Sequence, residues 1–269
     1  MQSSRPFPLP YKPQHFILNK FNGFAHPEII TGLDNLFNQK KNFETKLLQG
    51  KGTNLIREAS LVSSESFPWP RQAVKEFIRS GVRNFLSSPF KESKAMKSFL
   101  NACHLLKHGL QTPMPLGMLE RRRLGFVIKE VYVSEKIENI VDLEKYMKSS
   151  PVVQPEEEEI IRLLAGYVRC MHDCGFWHRD LNISNFLFTG DPGSRRLYLV
   201  DLNRGRIVKD MSIRMRIMEL SRLTIKKWRP LFFEYYCAGH YDPHKMLDRS
   251  RRIRKMRKYW RERIRGVNS

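Results

Sequence analysis

Hydrophobic and polar positions change rhythm along this 269-residue chain. The early apolar runs are short and broken by Gly and Asn, as in HFILNKF (15–21) and NFETKLLQGKGTNLIREASLV (42–62). The second run predicts a strand, a Gly-rich turn and a strand. RQAVKEFI (71–78) predicts another strand, with one lysine at its centre. From Ser88 to His108 the pattern turns helical: Met96, Phe99, Leu100, Cys103 and Leu106 follow Phe90 at three- and four-residue steps, and Gly109 stands where a helix stops. LGFVIKEVYV (124–133) is dense enough in apolar residues to predict a buried strand.

Beyond that strand the chain reads as mainly helical. DLEKYM begins a short helix, and PEEEEIIRLLAGYVRCMHDCG (155–175) predicts a long one. Its Pro and four Glu suit the positive end of a helix, and Gly175 closes it. NFLF and RLYLV, joined by a Gly/Pro/Ser turn, predict a hairpin. Residues 211–240 read as helical again. The organisation is a β-rich first part carrying one helix (1–134, with a Pro-rich leader) and a helical second part (135–269).

Composition narrows the partners more than the fold. At 41% hydrophobic and 11% aromatic, the chain suits a globular domain with a sizeable core. Its net charge of +21 favours polyanionic partners: a phosphorylated substrate, an anionic membrane or nucleic acid. No reader motif accompanies the charge, so nucleic acid ranks last. The start, MQSSRPFPLPYKP, has no apolar h-region, and no run of apolar residues is long enough to span a bilayer. A cytoplasmic protein is expected, with the inner face of the cytoplasmic membrane as a surface for peripheral contact. The cysteines are Cys103, Cys170, Cys174 and Cys237. The C-x3-C spacing of Cys170 and Cys174 fits zinc patterns poorly, so reduced and mostly buried thiols are expected.

One stretch carries chemistry. FWHRDLNISNFLF (176–188) places His178, Asp180, Asn182 and Asn185 between two apolar flanks, as a functional loop between buried elements would. Asp201 follows the hairpin, Lys75 lies in its strand, and Gly50 and Gly52 form a Gly-x-Gly turn upstream. Phosphoryl transfer asks for such parts: a Gly turn near phosphates, a Lys for their charge, an Asn and an Asp as Mg²⁺ ligands, and an Asp to accept the hydroxyl proton.

AVKEF, HRDLNISN and LVDLNRG together resemble the protein-kinase-like signature of strand Lys, H-R-D-x-x-x-x-N and metal-binding Asp. SKAMKSFLNACHLLKHGLQTPMPLG, followed by a strand and FWHRDLNISNFLF, is similar to the bacterial lipopolysaccharide kinases, which phosphorylate Kdo or heptose sugars of the lipid A–core. The resemblance covers roughly residues 45–210. It implies an α+β, two-lobed protein-kinase-like fold and an ATP-dependent phosphotransferase with an alcohol acceptor, using Mg²⁺ and an anionic lipopolysaccharide precursor. By the same resemblance Asp180 is the catalytic base, Lys75 pairs with the α/β-phosphates, Asn185 and Asp201 ligate metal, and Gly50 and Gly52 cover the phosphates. His178 is a loop scaffold. Glu92, sharing a helix face with Met96, Phe99 and Cys103, is the favoured partner of Lys75, while Leu100 stands where the family's acidic residue is expected.

Three departures mark the chain. No third Gly completes the Gly-rich loop, Leu-Asn follows Asp201 in place of Phe-Gly, and no Ala-Pro-Glu motif lies behind it. The last favours a sugar acceptor over a protein. Kinases of proteins or small molecules, and a non-catalytic kinase-shaped binding protein, are the alternative readings. HKMLDRSRRIRKMRKYWRERIR (244–265) holds 11 Lys or Arg against Asp248 and Glu262, with apolar residues at helical spacing. It suits either an interfacial helix on anionic lipid or a terminal helix packed on the second part.

Overall fold

The computed structural model describes residues 9–18, 21–37, 45–51, 54–62, 67–77, 92–149 and 155–266. These form two compact units: Met1–Glu138 with Asp201–Arg204, and Asn139–Val200 with Gly205–Ser269. The architecture is α+β.

The first unit is built on a seven-stranded antiparallel sheet in the order β1-β2-β6-β7-β5-β4-β3. Its strands are β1 (Gln14–Leu18), β2 (Phe21–Ala25), β3 (Thr45–Lys51), β4 (Asn54–Ala59), β5 (Gln72–Phe77), β6 (Pro115–Arg123) and β7 (Phe126–Glu135). Alternation along a strand sends neighbouring side chains to opposite faces. Val74, Val131 and Val133 therefore join Leu116, Leu119 and the buried Ile29 and Leu33 of helix α1 (Pro27–Phe37). Phe77 and Met118, with Tyr132, pack instead on Ala95, Phe99 and Cys103 of helix α2 (Lys94–Lys107). Lys75, opposite Tyr132 in the β5–β7 ladder, belongs to this α2 face.

The sequence pattern misses β6. Its first five residues are all buried, so no period-2 alternation announces a strand, and Arg121–Arg123 then run into exposure. The β6–β7 turn is Leu124-Gly125, both at positive φ (51° and 80°), as a two-residue hairpin requires. Leu124 is therefore turn, not strand. Helix α2 also begins later than its apolar spacing predicts: Ser93 accepts a hydrogen bond from the Met96 N–H at 3.1 Å and caps it. Glu92 lies before that cap. Phe90 and the rest of 88–91 lie outside the described residues.

The second unit is mainly helical: α3 (Leu143–Ser149), α4 (Pro155–Asp173), α5 (Ile213–Leu220), α6 (Arg229–Cys237) and α7 (Pro243–Gly266). The expected hairpin is present as β10 (Phe186–Thr189) and β11 (Arg196–Leu199), joined by the short β8 (Val141–Asp142). A second small sheet pairs β9 (Phe176–Trp177) with β12 (Arg206–Ile207). The glutamates that open α4 do more than favour its positive end. Glu157 accepts from the Trp228 indole N–H at 3.2 Å, and Glu159 lies 3.4 Å from Arg195. Helix α7 packs through the buried Met246, Leu247 and Ser250, whereas Met256, Tyr259 and Trp260 stay exposed. All four cysteines are free thiols: Cys103 and Cys237 are buried, Cys174 is half-buried and Cys170 is exposed, fewer buried than the sequence predicts. No helix among the described residues is long and apolar enough to cross a membrane.

Candidate active site

In the first unit, Lys75 and Asp201 meet. The Lys75 ammonium donates to Asp201 Oδ1 at 2.6 Å, with side chains 15% and 33% exposed. The same oxygen accepts from Asn203 Nδ2 at 2.5 Å. Helix α2 holds the turn that delivers the carboxylate: Asn101 Nδ2 donates to the Leu202 carbonyl at 2.8 Å, and Leu202 is buried. Asp201 itself sits at φ 62°, a strained conformation for a non-glycine residue, which the buried Leu202 and the Asn101 bond hold in place. The Leu-Asn that follows Asp201 thus has two jobs, one apolar anchor and one hydrogen bond to the carboxylate.

Glu92 does not take the place predicted for it. It is exposed and precedes the cap of α2, and the carboxylate that meets Lys75 is that of Asp201. Gly50 lies in β3 opposite Leu55 of the β3–β4 hairpin. Gly52 lies outside the described residues.

In the second unit, the loop after α4 is fastened from three sides. Gly175, at φ 76°, opens it, and a Cβ there would collide with the Val208 carbonyl. Leu181 and Ile183 are buried, which leaves Asp180, Asn182 and Asn185 partly open between them. The fully buried His178 accepts from the Asp180 N–H at Nδ1 (3.3 Å), which puts its proton on Nε2, facing the Val200 carbonyl at 3.5 Å. That is the scaffold geometry expected for it. Asn185 Nδ2 donates to the Asp180 carbonyl at 3.0 Å and points its amide oxygen away from that bond. Asp180 is 40% exposed, with Arg222 3.6 Å from its carboxylate. Arg179, at φ 68°, lays its guanidinium over the Trp177 ring.

The sequence reading missed the group that shapes this loop. Glu219 of α5 is buried, and its carboxylate accepts the backbone N–H of His178 (3.2 Å) and of Arg179 (2.5 Å). It also lies 3.2 Å from His172 Nε2, while His172 Nδ1 is 2.7 Å from the Tyr236 hydroxyl. A carboxylate accepting two backbone donors fixes the peptide on which Asp180 depends. Thr224 and Arg222 were missed as well: the Thr224 hydroxyl donates to Asn182 Oδ1 at 2.8 Å.

A model of the lipopolysaccharide kinase (Kdo/WaaP) family matches residues 66–231, more than half of the chain. The chain belongs to that family. A 3-deoxy-D-manno-octulosonic acid kinase of Mannheimia succiniciproducens is 23% identical over 240 residues, covering 82% of this chain and 96% of that protein. A second such kinase, from Haemophilus influenzae, is 25% identical over 199 residues, covering 71% and 78%. Among solved structures, WaaP in complex with acyl carrier protein matches with a TM-score of 0.60 and 18% identity, covering 93% of this chain and 97% of that one. The fold is that of the kinase family, and the chain is a phosphotransferase. Within the matched span lie Lys75, Asp180, Asn185 and Asp201, together with Glu219 and Arg222.

Proposed function

We propose that this kinase transfers the γ-phosphoryl group of ATP to a sugar hydroxyl, of Kdo or heptose, in the inner core of a lipopolysaccharide precursor. The observation that carries the reading is the Lys75–Asp201 pair, formed across 126 positions of sequence. Relatives named as 3-deoxy-D-manno-octulosonic acid kinases support the sugar acid as acceptor. A chain of charge +21 suits so anionic a substrate.

Each residue then has a task. Lys75 neutralises the inner phosphates, and Asp201 orients its ammonium group. Asp201 and Asn185 each present a hard oxygen of the type that Mg²⁺ takes. Bound MgATP supplies the electrophilic γ-phosphorus. Asp180, half open on a fastened loop, orients the acceptor hydroxyl and accepts its proton. Gly50, in the β3–β4 hairpin, carries no side chain to keep its backbone from the phosphates. The protein works at the cytoplasmic membrane face, where Met256, Tyr259 and Trp260, exposed by 61%, 56% and 55%, meet anionic lipid among the arginines of α7.

Labelled ATP offered with purified core oligosaccharide or with a generic protein acceptor tests the reading. Label on the oligosaccharide is the expected result, and its mass spectrum distinguishes Kdo from heptose. Label on protein alone overturns it.

A further inference from the structure

Arginines crowd the side of the catalytic loop where Asp180 opens to solvent. Arg222 leaves α5 and stands 3.6 Å from the Asp180 carboxylate, both side chains being partly exposed (36% and 40%). Helix α7 lays three more along one face, at steps of three and four residues. Arg254 donates to the Leu223 carbonyl at 3.2 Å, Arg257 to the Ser221 hydroxyl at 3.3 Å, and Arg261 to the Arg257 carbonyl at 3.3 Å. The turn 221–224, which Arg254 and Arg257 touch, also reaches the loop through Thr224 and Asn182.

This cluster is short of negative charge. Among the described residues, Arg254, Arg257 and Arg261 meet no carboxylate within ion-pair distance, and Asp180 is the acidic group that acts on Arg257. Burial and the neighbouring Arg222 and Arg261 push the Arg257 guanidinium down from its ordinary pKa, the direction that crowding of like charge imposes. An open pair as long as that of Arg222 and Asp180 is weak. A carboxylate or phosphate, which a guanidinium grips through two parallel hydrogen bonds, competes for it with ease.

We infer that Arg222 and Arg257 form an acceptor subsite that holds an anionic substituent, carboxylate or phosphate, carried by the sugar beside the hydroxyl that Asp180 activates. The inference rests on the sugar-kinase reading and deepens it. It gives the site a reason to prefer an acidic sugar over a neutral one, since a neutral acceptor brings no anion to the crowded Arg222, Arg257 and Arg261.

The test has two arms on the full chain. With MgATP and core oligosaccharide, Arg222→Gln and Arg257→Gln should each raise the acceptor KM about tenfold or more, the order expected for a lost charged hydrogen bond, without moving the KM for ATP. Arg251→Gln, an equal charge change at an exposed position of α7, should move neither. In the second arm, without nucleotide, 3-deoxy-D-manno-octulosonate, its methyl ester and inorganic phosphate are titrated by NMR. Loss of binding on esterification assigns the carboxylate, and binding of phosphate with indifference to the ester assigns a phosphate. Either result must be weakened by Arg257→Gln and spared by Arg251→Gln. Oligosaccharide phosphorylated equally well by all variants overturns the subsite and leaves the sugar reading standing. Probe binding lost in Arg257→Gln, with no oligosaccharide phosphorylated by the unaltered chain, overturns the sugar reading instead. A raised KM for ATP assigns the arginines to nucleotide and sinks the inference.

Discussion

Lys75 and Asp201, separated by 126 positions, meet at 2.6 Å beneath helix α2. The pair is preset by the fold of the first unit: β5 orients the lysine toward α2, and Asn101 of α2 grips the turn that carries the aspartate.

From that arrangement, Asp201→Ala should lower ATP affinity tenfold or more when Mg²⁺ is present and change it little when Mg²⁺ is chelated. If the lysine meets phosphate directly, as proposed, Lys75→Met should lower affinity under both conditions. Isothermal calorimetry with and without chelator checks both. Equal losses for Asp201→Ala in the two conditions would count against a metal-ligand role.

Asp180→Ala should reduce kcat by about 10²–10⁴-fold, the span of general-base catalysis, with the melting temperature nearly unchanged. The side chain is partly exposed and its backbone is held by other groups. Steady-state kinetics beside a thermal melt decides it; a rate equal to that of the parent protein would refute the assignment.

Glu219→Gln should behave differently. It leaves one backbone N–H of the loop facing an amide NH2, with no acceptor in a buried place, so about 1–3 kcal/mol of stability should go. The kcat should fall with it while the KM for ATP stays put, since the residue positions the loop and touches no substrate. Denaturant unfolding and kinetics on one preparation separate the two effects.

Replacing Met256, Tyr259 and Trp260 together by Ser should weaken binding to anionic vesicles without loosening the fold, because these side chains are exposed. Deleting 244–269 would be a poor substitute, as it strips the buried Met246 and Leu247 from the core. Co-sedimentation with phosphatidylserine vesicles provides the measurement, and unchanged binding would leave α7 as a packed helix with a solvated basic face.

Much of this protein was legible before its fold. Lys75, Asp180, Asn185 and Asp201 were proposed because phosphoryl-transfer chemistry demands particular residue types in a particular order, and order survives in sequence; of these, the structure pairs Lys75 with Asp201. The β10–β11 hairpin, the strand around Lys75 and helix α4 were legible too, since each has a clean period and clear stop signals. Strand β6 was not, because burial on both faces erases alternation. The partner of Lys75 was misread as Glu92 because helix spacing tells which residues share a face, while the cap at Ser93 decided where that helix begins. Glu219, Asn101 and Arg222 carried no signal of any kind. What they do depends on which backbone or carboxylate packing sets within 3–4 Å of them, and that distance is a property of the folded chain alone.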